Sequence, residues 1–185
     1  MTMEKIDPAK VFQQRIALSL GMDKYAVIMN TVRNTDVAAD TTFQRTFNGF
    51  YMVRRDSQWQ SHYYALFEKA KSASVSFEDI LYRLHELTGQ VEASFASKML
   101  ATLNPDMPIW DQYVIKNLGV KLPSQNDPDR LRKTVEIYTS ICTWYNDFLD
   151  TDNALECVSK FDEMLPDYAW VSRVKKIDFF LWSIR

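Results

Sequence analysis

The sequence predicts an all-α fold, and three observations carry that prediction. Only four glycines occur in 185 residues, whereas all-β folds spend glycine freely on tight turns. Apolar residues recur at helical spacing, as at Ile80, Leu81, Leu84 and Leu87. Capping residues stand at the heads of several such segments, in Asp-Pro and Ser-x-x-Asp arrangements. The hydrophobic share is 46%, ample for a core at this length. One domain over residues 1–185 is expected, in two helical lobes with a boundary near 120–127.

About nine helices are expected, each bounded to within a few residues. Asp7-Pro8 opens the first, which would carry Val11, Phe12, Ile16, Leu18 and Leu20 to Gly21. A second starts at Asp23 and carries Tyr25, Val27, Ile28, Met29 and Val32. Asp40-Thr41-Thr42 opens a short third with Phe43 and Phe47, ended by Asn48-Gly49 as a turn. Phe50 to Val53 reads as a buried connection, and Ser57 as the cap of the next helix. Ser76-Phe77-Glu78-Asp79 has capping-box spacing, with Asp in place of Glu or Gln. Gly89 sits at the left-handed position that closes that helix. Ser94 caps a helix with Phe95, Met99, Leu100 and Leu103, stopped at Asn104-Pro105. Ile109 to Leu118 follows, ended by Gly119. Asp127-Pro128 opens a long helix to about Leu149, residues 152–165 form another, and a last one carries Val171, Val174, Ile177, Phe180, Leu181 and Trp182.

Composition excludes several classes of function. The net charge of −2 makes the whole molecule no magnet for nucleic acid, so a DNA contact needs a local basic face. Cys142 and Cys157, fifteen residues apart with no nearby His, fit no zinc motif. They read as free thiols of a reducing, cytoplasmic compartment. No metal or other cofactor is expected. The first residues lack the apolar run of a signal peptide, and no segment is long and apolar enough for a membrane span. His62 and His85 lack partners at metal spacing, and no nucleotide-binding glycine loop or hydrolase triad is legible.

The densest motif is Leu87-Thr88-Gly89-Gln90-Val91-Glu92-Ala93-Ser94, then an apolar helix, then Pro108-Ile109-Trp110-Asp111. A glycine turn between helices, followed by Pro-apolar-x-Asp, resembles the core signature of the helix–hairpin–helix DNA glycosylase superfamily. Leu87 and Gly89 fall on that family's leucine and first glycine. Val91 falls on its second glycine, and Ala93 on its lysine site. Asp111 lies eighteen residues beyond Ala93, and the likeness covers roughly residues 87–119, about a sixth of the chain. The resemblance implies that double-stranded DNA is the partner. Gly89, Gln90, Val91 and Ser94 would then hold a phosphate, with Lys98 one turn further on. Asp111 would act in base excision, and Trp110 and Tyr51 would line a base pocket. Family members without the lysine are monofunctional, so Ala93 implies a glycosylase that forms no imine from the hairpin.

Each of these residues also has a plain structural reading. Asp111 can be a helix cap, Gly89 a C-terminal cap, and the aromatics core. Arg54-Arg55, then Arg130, Arg132 and Lys133, then Arg173, Lys175 and Lys176 are three basic groups that would make a phosphate face if folding joined them. The alternative function is a non-catalytic helical protein on the same scaffold, binding DNA structure or another protein. Val91, the acidic Glu92 and Ala93 speak for it.

Overall fold

The computed structural model describes residues 5–14 and 19–184. Among them it is all-helical, with ten α-helices, one 3-10 turn and no strand. The helices are α1 (Pro8–Gln14), α2 (Ser19–Thr31), α3 (Thr41–Tyr51), α4 (Ser57–Ala70), α5 (Phe77–Thr88), α6 (Ala93–Leu103), α7 (Gln112–Asn117), α8 (Arg130–Leu149), α9 (Asp152–Met164) and α10 (Arg173–Ser183). The chain divides into a central unit, residues 17–103, and a terminal unit, residues 1–16 with 104–185. The loop at 121–127 lies inside the terminal unit.

Several boundaries differ from the sequence reading for identifiable reasons. The first helix ends at Gln14, and Ser19 opens the second, so Gly21 lies in a first turn rather than at a helix end. Ile16 and Leu18 lie outside the described residues. Gly49 lies within α3, because Met52 takes the left-handed cap at φ 55 and Val53 N–H closes on Asn48 O at 3.0 Å. Asp56, not Ser57, caps α4, accepting from Trp59 N at 2.8 Å. Ser94 sits inside α6, whose first turn closes on the Glu92 carbonyl. Residues 108–111 are not helical, and Asp111 caps the short α7 instead.

In the central unit, α2 packs on α3, α4 on α5, and α5 on α6. Its core is aromatic: Phe43, Phe47, Tyr51, Tyr63, Tyr64 and Phe67 are all buried, with neighbouring centroids 4.6 to 6.1 Å apart. Edge-on contacts add to what burial of so much ring area already contributes. The α5 entry has the expected capping box: Ser76 Oγ accepts from Asp79 N, and the Asp79 carboxylate accepts from Ser76 N at 2.8 Å.

In the terminal unit, α10 is the axis. Its neighbours are α1, α7, α8 and α9. Ile177, Phe180 and Leu181 are fully buried, and Phe12 of α1 meets the rings of Phe179 and Phe180, each at 5.7 Å. Asn153 ties the chain start to α9, donating to Ile6 O and accepting from Ile6 N, both at 2.9 Å.

Candidate functional site

The hairpin motif lies in the central unit. The α5 helix ends in Gly89 at φ 69, whose N–H donates to His85 O at 2.8 Å. Gly89 and Gln90 are exposed and Val91 is half-buried, so the turn itself faces solvent. Behind it, the chemistry is closed. Glu92 is buried, and its carboxylate accepts from Arg55 at 2.8 and 2.9 Å and from Trp59 Nε1 at 3.1 Å. The Arg55 guanidinium lies over the Phe95 ring at 5.3 Å and the Trp59 ring at 5.6 Å. An anion already occupies the start of α6, and a cation already neutralises it.

Lys98 and Tyr51 are also internal to this unit. Lys98 is buried, with Nζ 3.2 Å from Tyr51 O and 5.1 Å from the Phe95 centroid. The Tyr51 hydroxyl lies 3.4 Å from Thr102 Oγ1. Ser94 is half-buried, and its carbonyl accepts from Ser97 Oγ.

Trp110 and Asp111 belong to the terminal unit. Trp110 is buried, and Asp111 is half-buried, accepting from Tyr113 N at 2.8 Å as the α7 cap. The segment before them is pinned along its length. Ser172 Oγ donates to Pro105 O at 2.6 Å, and Tyr138 OH donates to Pro108 O at 2.8 Å. Ile109 N–H points at Asp178 Oδ1, 3.4 Å away.

Asp178 is the residue that sequence reasoning missed. It sits on α10 and is 3% exposed. Oδ1 accepts a short hydrogen bond, 2.5 Å, from Tyr145 OH. Oδ2 is buried and has no hydrogen-bond partner; Lys175 Nζ, one turn earlier, lies 3.8 Å from it. Burial pushes the carboxyl up to about 6, against the pull of Lys175, the Tyr145 hydroxyl and the Ile109 amide; the Asp111 charge adds to the rise. Burial likewise lowers the Lys175 ammonium, opposed by Asp178 and Asp111. It raises the Tyr145 phenol well above its usual range, with Asp178 contributing. Asp111, Asp178, Lys175 and Tyr145 therefore form one electrostatic group. A carboxyl poised near neutrality beside a desolvated amine is the kind of pair that acid–base and nucleophilic chemistry uses. The available signal was a lone acid inside the apolar run Ile177-Asp178-Phe179-Phe180-Leu181.

The basic groups are largely spoken for within their own units. Arg132 pairs with Asp129 and Glu136, and Lys133 with Asp127 at 2.7 Å. Arg173 donates to Leu149 O, and Lys176 lies 2.6 Å from Asp162 while donating to Ala169 O at 2.8 Å. A shallow open depression of about 310 Å³ is lined by Lys121, Leu122, Asp127, Lys133 and Glu136, among others, and by no member of the Asp111 group. Cys142 and Cys157 carry free thiols, and burial raises them to about 11 and about 12. Among the described residues no cluster of three His, Cys, Asp or Glu could hold a metal ion, and no helix is long and apolar enough to cross a membrane. Compared with protein-family models, curated proteins and solved structures, the chain matches none.

Proposed function

We propose that the chain is a DNA-binding protein of the helix–hairpin–helix glycosylase kind, cleaving the N-glycosidic bond of a damaged or mismatched nucleotide. The observation that carries the reading is Asp111, half-buried and within electrostatic reach of the buried Asp178 carboxyl and of Lys175. Glycosidic cleavage builds positive charge on the sugar as the base departs. A fixed carboxylate in a poorly solvated setting stabilises that charge far better than water does. Asp111 is the residue assigned that role. Tyr138, Tyr145 and Asp178 hold the Pro108–Ile109 backbone that leads into it. In the same chain, α5, the Gly89 turn and α6 supply a helix–turn–helix with exposed backbone at Gly89 and Gln90 for a phosphate.

A second reading is a non-catalytic helical protein that binds DNA structure or another protein. Glu92 favours it, since its buried carboxylate already holds Arg55 and Trp59 at the head of α6. Trp170 and Trp182, 53% and 38% exposed in the terminal unit, favour a protein partner.

Fluorescence anisotropy across a salt series separates the two. The probes are a plain duplex and one carrying a reduced abasic-site analogue. The glycosylase reading predicts tighter binding to the analogue, weakening with salt. Absence of binding to either duplex at low salt contradicts it and directs attention to protein partners.

A further inference from the structure

One basic group of the sequence, Arg54-Arg55, lies on the loop that joins α3 to α4 in the central unit. That loop is held along its length. Met52 takes the left-handed cap of α3, and Val53 is buried, with its N–H on Asn48 O at 3.0 Å. Arg55 O accepts from Gln60 Nε2 at 2.6 Å, and Asp56 caps α4. Arg54 is exposed and engages no carboxylate among the described residues. Arg55 donates to both oxygens of Glu92 through one terminal nitrogen, at 2.8 and 2.9 Å. A guanidinium carries five donors, so its Nε and second terminal nitrogen stay available. The Phe95 and Trp59 rings, 5.3 and 5.6 Å from the guanidinium carbon, limit its swing. Burial of the pair is one-sided: the Glu92 side chain is 7% exposed and that of Arg55 38%. Solvent at this place meets the cation of the pair, not the anion. Glu92 stands two residues after the exposed Gln90, so the pair sets this loop beside the Gly89 turn.

We propose that Arg54 and Arg55 form a phosphate-binding edge for double-stranded DNA, beside the Gly89–Gln90 turn. The proposal rests on the DNA-binding reading and names the cations of that surface. Arginine presents a planar fork of donors that matches a phosphodiester, which a compact ammonium does not. A guanidinium already held on one edge by a carboxylate, on a pinned loop, loses little freedom when its other edge meets a phosphate. Glu92 is therefore a positioning residue for Arg55, and its charge is turned inward. Asp56, the acid on the same loop, spends its carboxylate on Trp59 N at the head of α4. Arg132 and Lys133 differ, since each faces carboxylates at the surface. Phosphate contacts place a duplex without reading its bases, so the edge serves a plain duplex and an abasic one alike.

The test is the salt dependence of duplex binding, read by anisotropy with the full chain on the plain and the abasic-analogue probes. Wild type is compared with Arg54→Gln, Arg55→Lys and the control Lys69→Gln. Arg55→Lys keeps a cation for Glu92 but lacks the second donor edge. Lys69 is exposed at the far end of α4, about 18 Å along the helix from the loop. Losing one phosphate contact should make the slope of log K against log salt shallower by about 1, and weaken binding roughly tenfold at low salt. That result is expected of Arg54→Gln on both probes, with weaker binding by Arg55→Lys and no change with Lys69→Gln. Arg54 is exposed and bonded to no side chain, so its variant folds and keeps the test decisive even if Arg55→Lys does not fold. Wild-type affinity and slope in Arg54→Gln, wild-type affinity in folded Arg55→Lys, or an equal loss with Lys69→Gln overturns the proposal and leaves the DNA reading standing. Failure of wild type to bind either duplex overturns both.

Discussion

Two buried carboxylates, Glu92 in the central unit and Asp178 in the terminal unit, solve the same problem in opposite ways. Glu92 accepts from a guanidinium and an indole N–H, so both of its oxygens have close, well-placed donors. Asp178 has one short bond from Tyr145, a long contact from Ile109 N, and one oxygen with no hydrogen bond at all. A buried polar group left short of partners is costly, so its presence calls for a reason. The satisfied acid joins α4 to the start of α6. The unsatisfied one stands beside Lys175, 3.8 Å from its Oδ2, and within electrostatic reach of the half-buried Asp111, where a group able to gain or lose a proton is useful.

The comparison breaks most severely at Glu92. Glu92→Ala leaves Arg55 without its anion and Trp59 Nε1 without its acceptor. A loss of about 3 to 4 kcal/mol is expected in urea unfolding, at the low end for a buried pair because Arg55 is 38% exposed. Base release from bound duplex by protein that remains folded should be unchanged, since Glu92 carries no chemistry in this account.

Asp178 should instead govern a pH dependence. Its folded carboxyl is raised from 3.8 to about 6, so the native state holds the proton more tightly than the unfolded chain does. The stability it contributes is therefore present in full below about pH 4 and lost as pH rises through about 6, a change of about 2 to 3 kcal/mol. The N-cap Asp40 and the capping-box residue Asp79 have lowered carboxyls, through hydrogen bonds from Phe43 N and Ser76 respectively, so their contributions run the other way and fade in acid. Subtracting the Asp178→Asn stability profile from that of wild type isolates the Asp178 component, and a flat difference would contradict the assignment.

Smaller effects test the hairpin. Gly89→Ala meets no neighbour within 4 Å, so only the backbone strain at φ +69 remains, about 1 kcal/mol in thermal or urea unfolding. Ser76→Ala removes the capping box at the head of α5 and should cost about 0.5 to 1 kcal/mol. Neither change should move the acid–base behaviour of Asp178.

Most of the helical fold was legible because caps and apolar spacing act locally. Ser76 with Asp79 and Gly89 mark the two ends of α5 without reference to the rest of the chain. Where local signals competed, tertiary packing decided. Asn48-Gly49 reads as a turn, yet α3 continues so that Tyr51 can join the ring cluster around Phe47. The site was legible only in part. Asp111 stood out by spacing, whereas Lys175 and Tyr145 are thirty or more residues further along and carry no motif. Only the packing of α10 with α7 and α8 brings those groups within electrostatic reach of one another. The partners of the basic groups were illegible for a similar reason. Spacing does not show that Asp127, Asp129, Glu136 and Asp162 engage Lys133, Arg132 and Lys176.

The most direct test of the central claim is base release from a panel of damaged and mismatched duplexes by wild type and Asp111→Asn. Asn caps a helix about as well as Asp, so the substitution should shift stability by only a few tenths of a kcal/mol and leave binding to the abasic analogue intact. The account predicts release from at least one duplex by wild type and none by Asp111→Asn. Equal release by the two proteins, or no release by wild type from any duplex it binds, would contradict it.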